Sequence, residues 1–413
     1  MSRLLKILEF ENKNNKCLYL MTKTFRIRNN YSLYEAHSYS KKNQLSLDIF
    51  VVEPYEENVR NLDFFNENTI DLLEKLKLFS DNVKLIRRED IIKESFNDLK
   101  SIFIDKAYLR FDLDLYNFVK KESLSKKINL FTIESNVFVP VLVASEKEEY
   151  SAKTIRNKIN SKLKDYRTSV FDKMPIILGE IKALEFLRVF IDQKLNNYHL
   201  HNDPSLNYTS LLSPYLKYGF ISPVTIYNEL ALINGENKED FLEELIVRRE
   251  LAYNFVYYNP TYDQFEYMTY DWAYTTMKNH INDRRQYIYS KEDYINFNTH
   301  DPYFNAAMIE MIYTGKMHSY MRMYWCKKII EWSRNYKDAY DIAIELNNYY
   351  FIDGLTPNGY CGVAWCFGKH DRAWTERPIF GKLRYMNDNG LKRKFDIETY
   401  VKQMNEIRKG ERL

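Results

Sequence analysis

The chain has 413 residues, 45% of them hydrophobic and 28% charged, with 60 Lys and Arg against 57 Asp and Glu for a net charge of +3. That length and balance suit a folded protein of two or three domains, and the near-neutral charge means that a nucleic-acid partner has to be met by a local basic surface. No apolar run approaches the length of a membrane span and the N-terminus lacks a signal-peptide core, so the sequence reads as a soluble, intracellular protein of the nucleus, the cytoplasm or a viral replication site, with no membrane partner.

Short apolar runs open the chain: CLYLM from Cys17, LSLDIFV from Leu45, VKLI from Val83, IFID from Ile102 and INLFTI from Ile128. Segments with apolar residues at helical spacing separate them, which predicts an α/β domain over residues 1–150 with a mostly parallel sheet. All 11 glycines lie at Gly179 or later, so this domain has neither GxGxxG nor a Walker loop, and any cofactor in it has to be held by side chains. A charged helical connector covers 151–190, and a nearly all-helical domain follows over 191–413. In it, FLEELIVRRELAYNF should stop before Pro260, and another helix should open at Asp301-Pro302 and break at Gly315.

The 4 cysteines, Cys17, Cys326, Cys361 and Cys366, are scattered, which fits reduced thiols. Neither Cys361/Cys366 nor His199/His201 has further ligands at metal spacing, and no metal is expected. Thr209, Ser210, Leu211, Leu212, Ser213 and Pro214 give three hydroxyls, the last in a Ser-Pro pair, which suits simple helix capping or a pyrophosphate at a helix N-terminus. Glu244 and Arg248 are four apart in the order that favours a helix ion pair. The alternative is a carboxyl facing a pocket, its pKa raised by Leu245, Ile246 and Leu251. Trp325, Ile329 and Trp332 form one helical stripe, the pattern of a core face. Arg322, one turn earlier, then needs an anionic partner, for which Asp353 is a candidate.

These segments occur in a telling order. TSLLSPYLKYG, FLEELIVRREL, TGKMHSYMRMYWCKKIIEW, DGLTPNGYCGVAWCFGKHDRAW and GKLRYMNDNGLKRKFD together resemble the class II cyclobutane pyrimidine dimer photolyases. YLMTKTFRIRNNYSLYEA and VPVLVASEKEEYSAKTIRNKI resemble that family's antenna domain and the segment leaving it. The resemblance implies a Rossmann-like antenna domain followed by an all-α domain that holds FAD, active when reduced. It also implies a monomeric carbon-carbon lyase that repairs pyrimidine dimers in double-stranded DNA under blue light. By the same resemblance Tyr198 and Thr209 to Ser213 grip the cofactor's ribityl and phosphate groups, Arg248 also binds the cofactor, Arg322 and Asp353 pair beside the flavin, and Asn347 faces its reactive nitrogen. Glu244 bonds the base edge of a flipped dimer, Met323 and Trp365 line the dimer pocket, and Lys392, Arg393 and Lys394 contact phosphates. The antenna pigment, a deazaflavin, a folate or none, stays open.

Two departures from the family pattern stand out. The electron relay usually has three tryptophans; Trp325 and Trp332 match the inner and outer ones, but the middle position is Phe304, which leaves Tyr324, Tyr289 or Tyr303 as detours. Leu355 and Thr356 stand where the family tends to have Arg-Asp. The alternative functions are a cryptochrome-like light sensor and a degenerate flavoprotein that binds DNA without repair. The heavy use of Asn, Lys, Ile and Tyr points to an AT-rich genome, viral or from a compact parasite.

Overall fold

The computed structural model describes residues 2–410. The chain forms two compact units that alternate along the sequence. Met1–Glu146, Arg156–Gln193 and Ser210–Glu250 make the first; Lys147–Ile155, Lys194–Thr209 and Leu251–Leu413 make the second.

The first unit holds a six-stranded sheet of β1 (Leu4–Leu8), β2 (Lys16–Met21), β3 (Ser46–Val52), β4 (Asn82–Ile86), β5 (Leu99–Asp105) and β6 (Asn129–Ile133), in the order β1-β6-β5-β2-β3-β4. All neighbours run parallel except β1 against β6. The five expected strands are present: β2, β3, β5 and β6 are central and so read as buried apolar runs, while β4 is the other edge, mostly half-buried or exposed. β1 is an addition that periodicity does not predict: LLKIL is an edge strand whose residues are half-buried or exposed throughout. Helices α1 (Tyr31–Lys42), α2 (Val59–Asn68) and α3 (Arg110–Ser125) follow β2, β3 and β5. Asn30 and Asn58 start α1 and α2 by accepting the amides of Leu33 at 2.9 Å and Arg60 at 3.0 Å. Leu18, Leu20, Phe50, Ile102, Ile104 and Leu130 pack with Leu115 and Val119 of α3 into one core, each side chain contributing about 1.5–3 kcal/mol.

The chain steps from β2 to β3 to β4 on one side and returns to β5 on the other, so the carboxyl ends of β2 and β5 form the topological switch point where α/β sheets take ligands. Here Asp105 occupies it. Its carboxylate accepts the amides of Thr22 (2.9 Å), Lys23 (2.8 Å) and Thr24 (3.1 Å), the Thr24 hydroxyl (3.0 Å) and the Tyr19 hydroxyl (3.1 Å). A nest of successive amides, the usual phosphate cradle, is thus filled by the protein's own anion. Helix α4 (Glu236–Leu242) also belongs to this unit.

The second unit is built from helices, among them α5 (Pro302–Thr314), α6 (Ser319–Trp332), α7 (Tyr336–Tyr350), α8 (Pro357–Cys366), α9 (Asp388–Lys394) and α10 (Ile397–Arg408). The Asp301 carboxylate caps α5 through the amides of Tyr303 (2.8 Å) and Phe304 (3.1 Å), Pro302 sits in its first turn, and Gly315 closes it at φ +70°, as the sequence leads one to expect. α6 packs against α5, α7 and α8, and buries Trp325, Ile329 and Trp332. The helix after Arg249 stops at Tyr258, ahead of Asn259-Pro260. Among the described residues no helix is long and apolar enough to cross a membrane.

Asp105→Asn keeps the side chain's shape but turns an N–H2 group toward a nest of donors and removes the charge. It is expected to cost about 2–4 kcal/mol of stability, read as a lower urea midpoint by circular dichroism. An unchanged midpoint would dismiss the nest as an anchor.

Candidate active site

In the first unit α4 runs into a turn of π-helix, Glu243–Arg248, before the helix Arg249–Tyr258. Such a turn inserts one residue into the helix, and such turns gather at functional sites. Here it places two carboxylates beside one guanidinium. Arg248 Nε lies 2.9 Å from Glu244 and 3.8 Å from Glu243, and Glu243 holds Arg156 through two bonds of 2.8 and 2.9 Å. Leu245, Ile246 and Val247 are buried beneath, while the Glu244 side chain stays 46% exposed beside Arg248.

The hydroxyl segment turns sharply at Leu211, whose φ is +58°. The following short helix, Ser213–Lys217, has Pro214 in its first turn, but the cap residue is Leu212 and no side chain caps it. Ser213 is thus inside the helix, its hydroxyl not committed to capping. Ser210 Oγ receives the Leu212 amide at 3.4 Å.

In the second unit, Arg322 on α6 donates to the carbonyl of Met317 at 3.1 Å and to Asp353 at 2.8 Å, and its guanidinium lies 3.9 Å from the Phe351 ring centre. Asn347 on α7 is buried; its Nδ2 donates to Asn348 at 3.0 Å, and its Oδ1 accepts no hydrogen bond among the described residues. Such an acceptor suits a ligand's ring N–H. Tyr198 is buried and stacks on His201 at 4.2 Å. Lys194 donates to Asn207 at 3.0 Å, with the Thr209 carbonyl 3.5 Å away. Burial holds the Lys316 ammonium below its ordinary pKa, and burial together with the charge of Lys316 does the same to Lys194. Asp353 and Glu310 offset the Lys316 charge in part, and the local positive charge of the two lysines suits an anion such as a diphosphate. The sequence reading passes over both lysines, since a lone lysine reads as a solvated surface charge.

Met323 on α6 and Trp365 on α8 are partly exposed. Trp365 belongs to a stack that the sequence does not announce. Arg384 lies 4.9 Å from its ring centre and 4.2 Å from that of Trp374, which Arg372 approaches at 4.9 Å from its own. Asp371 steadies the stack by accepting from Arg384 Nε at 3.1 Å and Trp374 Nε1 at 3.2 Å. Stacked indoles and guanidinium planes are surfaces on which bases stack. Lys392, Arg393 and Lys394 form the exposed last turn of α9; Lys392 lies 3.5 Å from Asp388, and Lys394 donates to the Tyr320 hydroxyl at 3.0 Å.

Trp325 is buried and donates to the Met308 sulfur at 3.1 Å. Phe304 is fully buried, with its ring 5.2 Å from that of Trp332. The Tyr324 phenol donates to Asp301, and burial together with that carboxylate raises its pKa strongly. Tyr289 lies 5.6 Å from Trp332 and shares a 2.8 Å hydrogen bond with His300.

No family model matches the chain. It is 42% identical over 379 residues to the deoxyribodipyrimidine photo-lyase of Methanothermobacter thermautotrophicus, covering 83% of each chain. It is 38% identical over 328 residues to the enzyme of that name from Arabidopsis thaliana, covering 68% of this chain and 66% of the other. In structure it resembles a Synechocystis cryptochrome, with a TM-score of 0.74 at 14% identity over 96% of this chain and 92% of that one. It also resembles an archaeal photolyase from Sulfolobus tokodaii holding two FAD molecules, with a TM-score of 0.70 at 16% identity over 95% and 93%. At such identities the structural likeness establishes the fold.

A Cβ at Gly359 would lie 2.7 Å from Asn347 Nδ2, whereas one at Gly362, on the same helix, would meet nothing within 4 Å. Gly359→Ala should therefore push Asn347 aside and cost about 1–3 kcal/mol. Gly362→Ala should raise stability by up to about 1 kcal/mol through helix propensity. Thermal unfolding of the two variants, compared side by side, checks the pair; equal midpoints would refute the close approach.

Proposed function

The chain belongs to the deoxyribodipyrimidine photo-lyase family, and from that premise we propose that it is a class II enzyme repairing cyclobutane pyrimidine dimers in double-stranded DNA under blue light, as a monomer. The observation that carries this reading is the 42% identity across 83% of the chain. The ordered motifs support the class.

FAD in its reduced form supplies, when bound, the electron that light moves to the dimer and that returns once the ring has split, so nothing is consumed. The chain's own groups bind, orient and screen. Tyr198, the Thr209 to Ser213 turn and Arg248 hold ribityl and phosphate oxygens, and Lys194 and Lys316 add positive charge for the same task. Arg322 and Asp353 present a charge pair to the ring system, and the free Oδ1 of Asn347 receives a ring N–H. The fit is good, since Asn347 offers an acceptor that no described residue uses and Lys194 and Lys316 supply positive charge. A light-collecting deazaflavin or folate in the first unit would rely on side chains, because Asp105 fills the amide nest.

A flipped pyrimidine pair costs less to unstack when damaged, which gives selectivity before any contact is made. Met323 and Trp365 line its pocket. Glu244 reads its edge: ionised, it accepts from a base N–H, and protonated, it donates to a base carbonyl and steadies the electron-rich dimer. Lys392, Arg393 and Lys394 meet backbone phosphates and make affinity salt-dependent.

The loop Asp353 to Thr356 lacks the charged pair usual in the family, and a cap takes over its ordering. Thr356 accepts the Gly359 amide at 3.2 Å and donates to the Asp353 carbonyl at 2.9 Å. Phe304 has no such substitute, since phenylalanine is far harder to oxidise than tryptophan or tyrosine.

Pre-reduced protein is expected to remove the dimer from a thymine-dimer oligonucleotide under blue light and to leave it intact in the dark. Glu244→Gln should keep binding and lower the repair yield by roughly tenfold, one hydrogen bond to a charged group being worth about 1.5–3 kcal/mol. Light-independent or absent dimer loss would overturn the reading. Oxidised protein with a donor should lose its oxidised-flavin absorption slowly in blue light, and Phe304→Trp should speed this by about tenfold or more, as one added hop removes over 1.4 kcal/mol of barrier. Fast bleaching in the parent that survives both Tyr324→Phe and Tyr289→Phe would contradict the interrupted relay.

A further inference from the structure

The first unit contains a cavity of about 490 Å³ that none of the roles above uses. That volume lies within the range of small-molecule sites, roughly 300–1,000 Å³. Its walls come from the helix Ala152–Asn160, the short helix Leu163–Tyr166, the segment around Leu230, and the π-turn that carries Glu244. Leu163, Leu242, Ile246 and Val247 supply an apolar lining.

The polar lining consists of three cations and two carboxylates, with Asn160 and Tyr227. Glu243 neutralises Arg156 through its two short bonds. Lys238 donates to the Ile233 carbonyl at 2.7 Å and lies 3.3 Å from the exposed Glu239. Arg167 makes no side-chain hydrogen bond or ion pair among the described residues. An apolar hollow edged by one uncommitted guanidinium calls for a ligand with an apolar body and an acidic group, because the body gains by leaving water and a carboxylate or phosphate finds a bidentate donor.

We propose that this cavity binds a small amphipathic anion, an apolar body bearing a carboxylate or phosphate that seats on Arg167. The same walls include the ion pairs of the π-turn. Arg156 holds Glu243, Glu243 stands 3.8 Å from Arg248, and Arg248 pairs with Glu244.

The probe is 1-anilinonaphthalene-8-sulfonate, an aryl sulfonate whose fluorescence rises on leaving water, titrated into the FAD-loaded protein. Saturable binding to one site is expected, with N-phenyl-1-naphthylamine, its uncharged analogue, binding at least roughly tenfold more weakly, the worth of one charge-assisted hydrogen bond. Arg167→Ala should weaken the sulfonate by a similar factor, and Ala231→Trp, at the exposed rim, should block it. Competition by 1-naphthyl phosphate and by 1-naphthoate then decides which acidic group the site prefers. Unsaturable binding, or saturable binding that neither substitution changes, would overturn the proposal.

Discussion

The ion pair between Arg322 and Asp353 is the constraint on which the helical site depends. The guanidinium sits on a largely buried helix, against the face of Phe351, at a side-chain exposure of 28%. Removing its partner would leave a desolvated cation near Lys316, and breaking such a pair costs several kcal/mol even where forming it gains little. The pair also ties α6 to the loop that leads into α8. That loop is drawn in at one end by the Ile352 amide, which donates to the Gly315 carbonyl at 2.8 Å, and at the other by the Thr356 cap. With the loop held, Gly359 can approach Asn347 closely enough to exclude a methyl group.

The first unit shows the opposite use of charge. Asp105 spends a buried carboxylate on the amides after β2, at the one place where a doubly wound sheet most readily takes a phosphate. The sheet-bearing segment, which has no glycine before Gly179, has thus turned its switch point into structure.

Much of this was legible in the sequence, for identifiable reasons. Buried parallel strands leave unbroken apolar runs, and Asp301-Pro302 with Gly315 spells out both ends of α5. Arg322 on an apolar stripe demanded an anion, and Asp353 is that anion. What stayed hidden was set by tertiary context. β1 is a half-exposed edge without alternation, and the π-turn differs from an ordinary helix by one residue's worth of packing that no periodicity records. Leu212 caps its helix in place of the expected Ser213 because Leu211 turns left-handed first. Lys194 and Lys316 look like any surface lysine until burial is known, and the Trp365, Arg384 and Trp374 stack joins residues up to nineteen positions apart.

Cofactor binding should depend on the ion pair of Arg322 with Asp353. The measurement is the dissociation constant of FAD for the parent protein and for Asp353→Asn, by titration of flavin fluorescence, with circular dichroism to confirm that both are folded. At least roughly tenfold weaker binding in the variant is expected, the consequence of an unpaired guanidinium at the site. Equal constants in two folded proteins would mean that the flavin is organised by other residues and not by this pair.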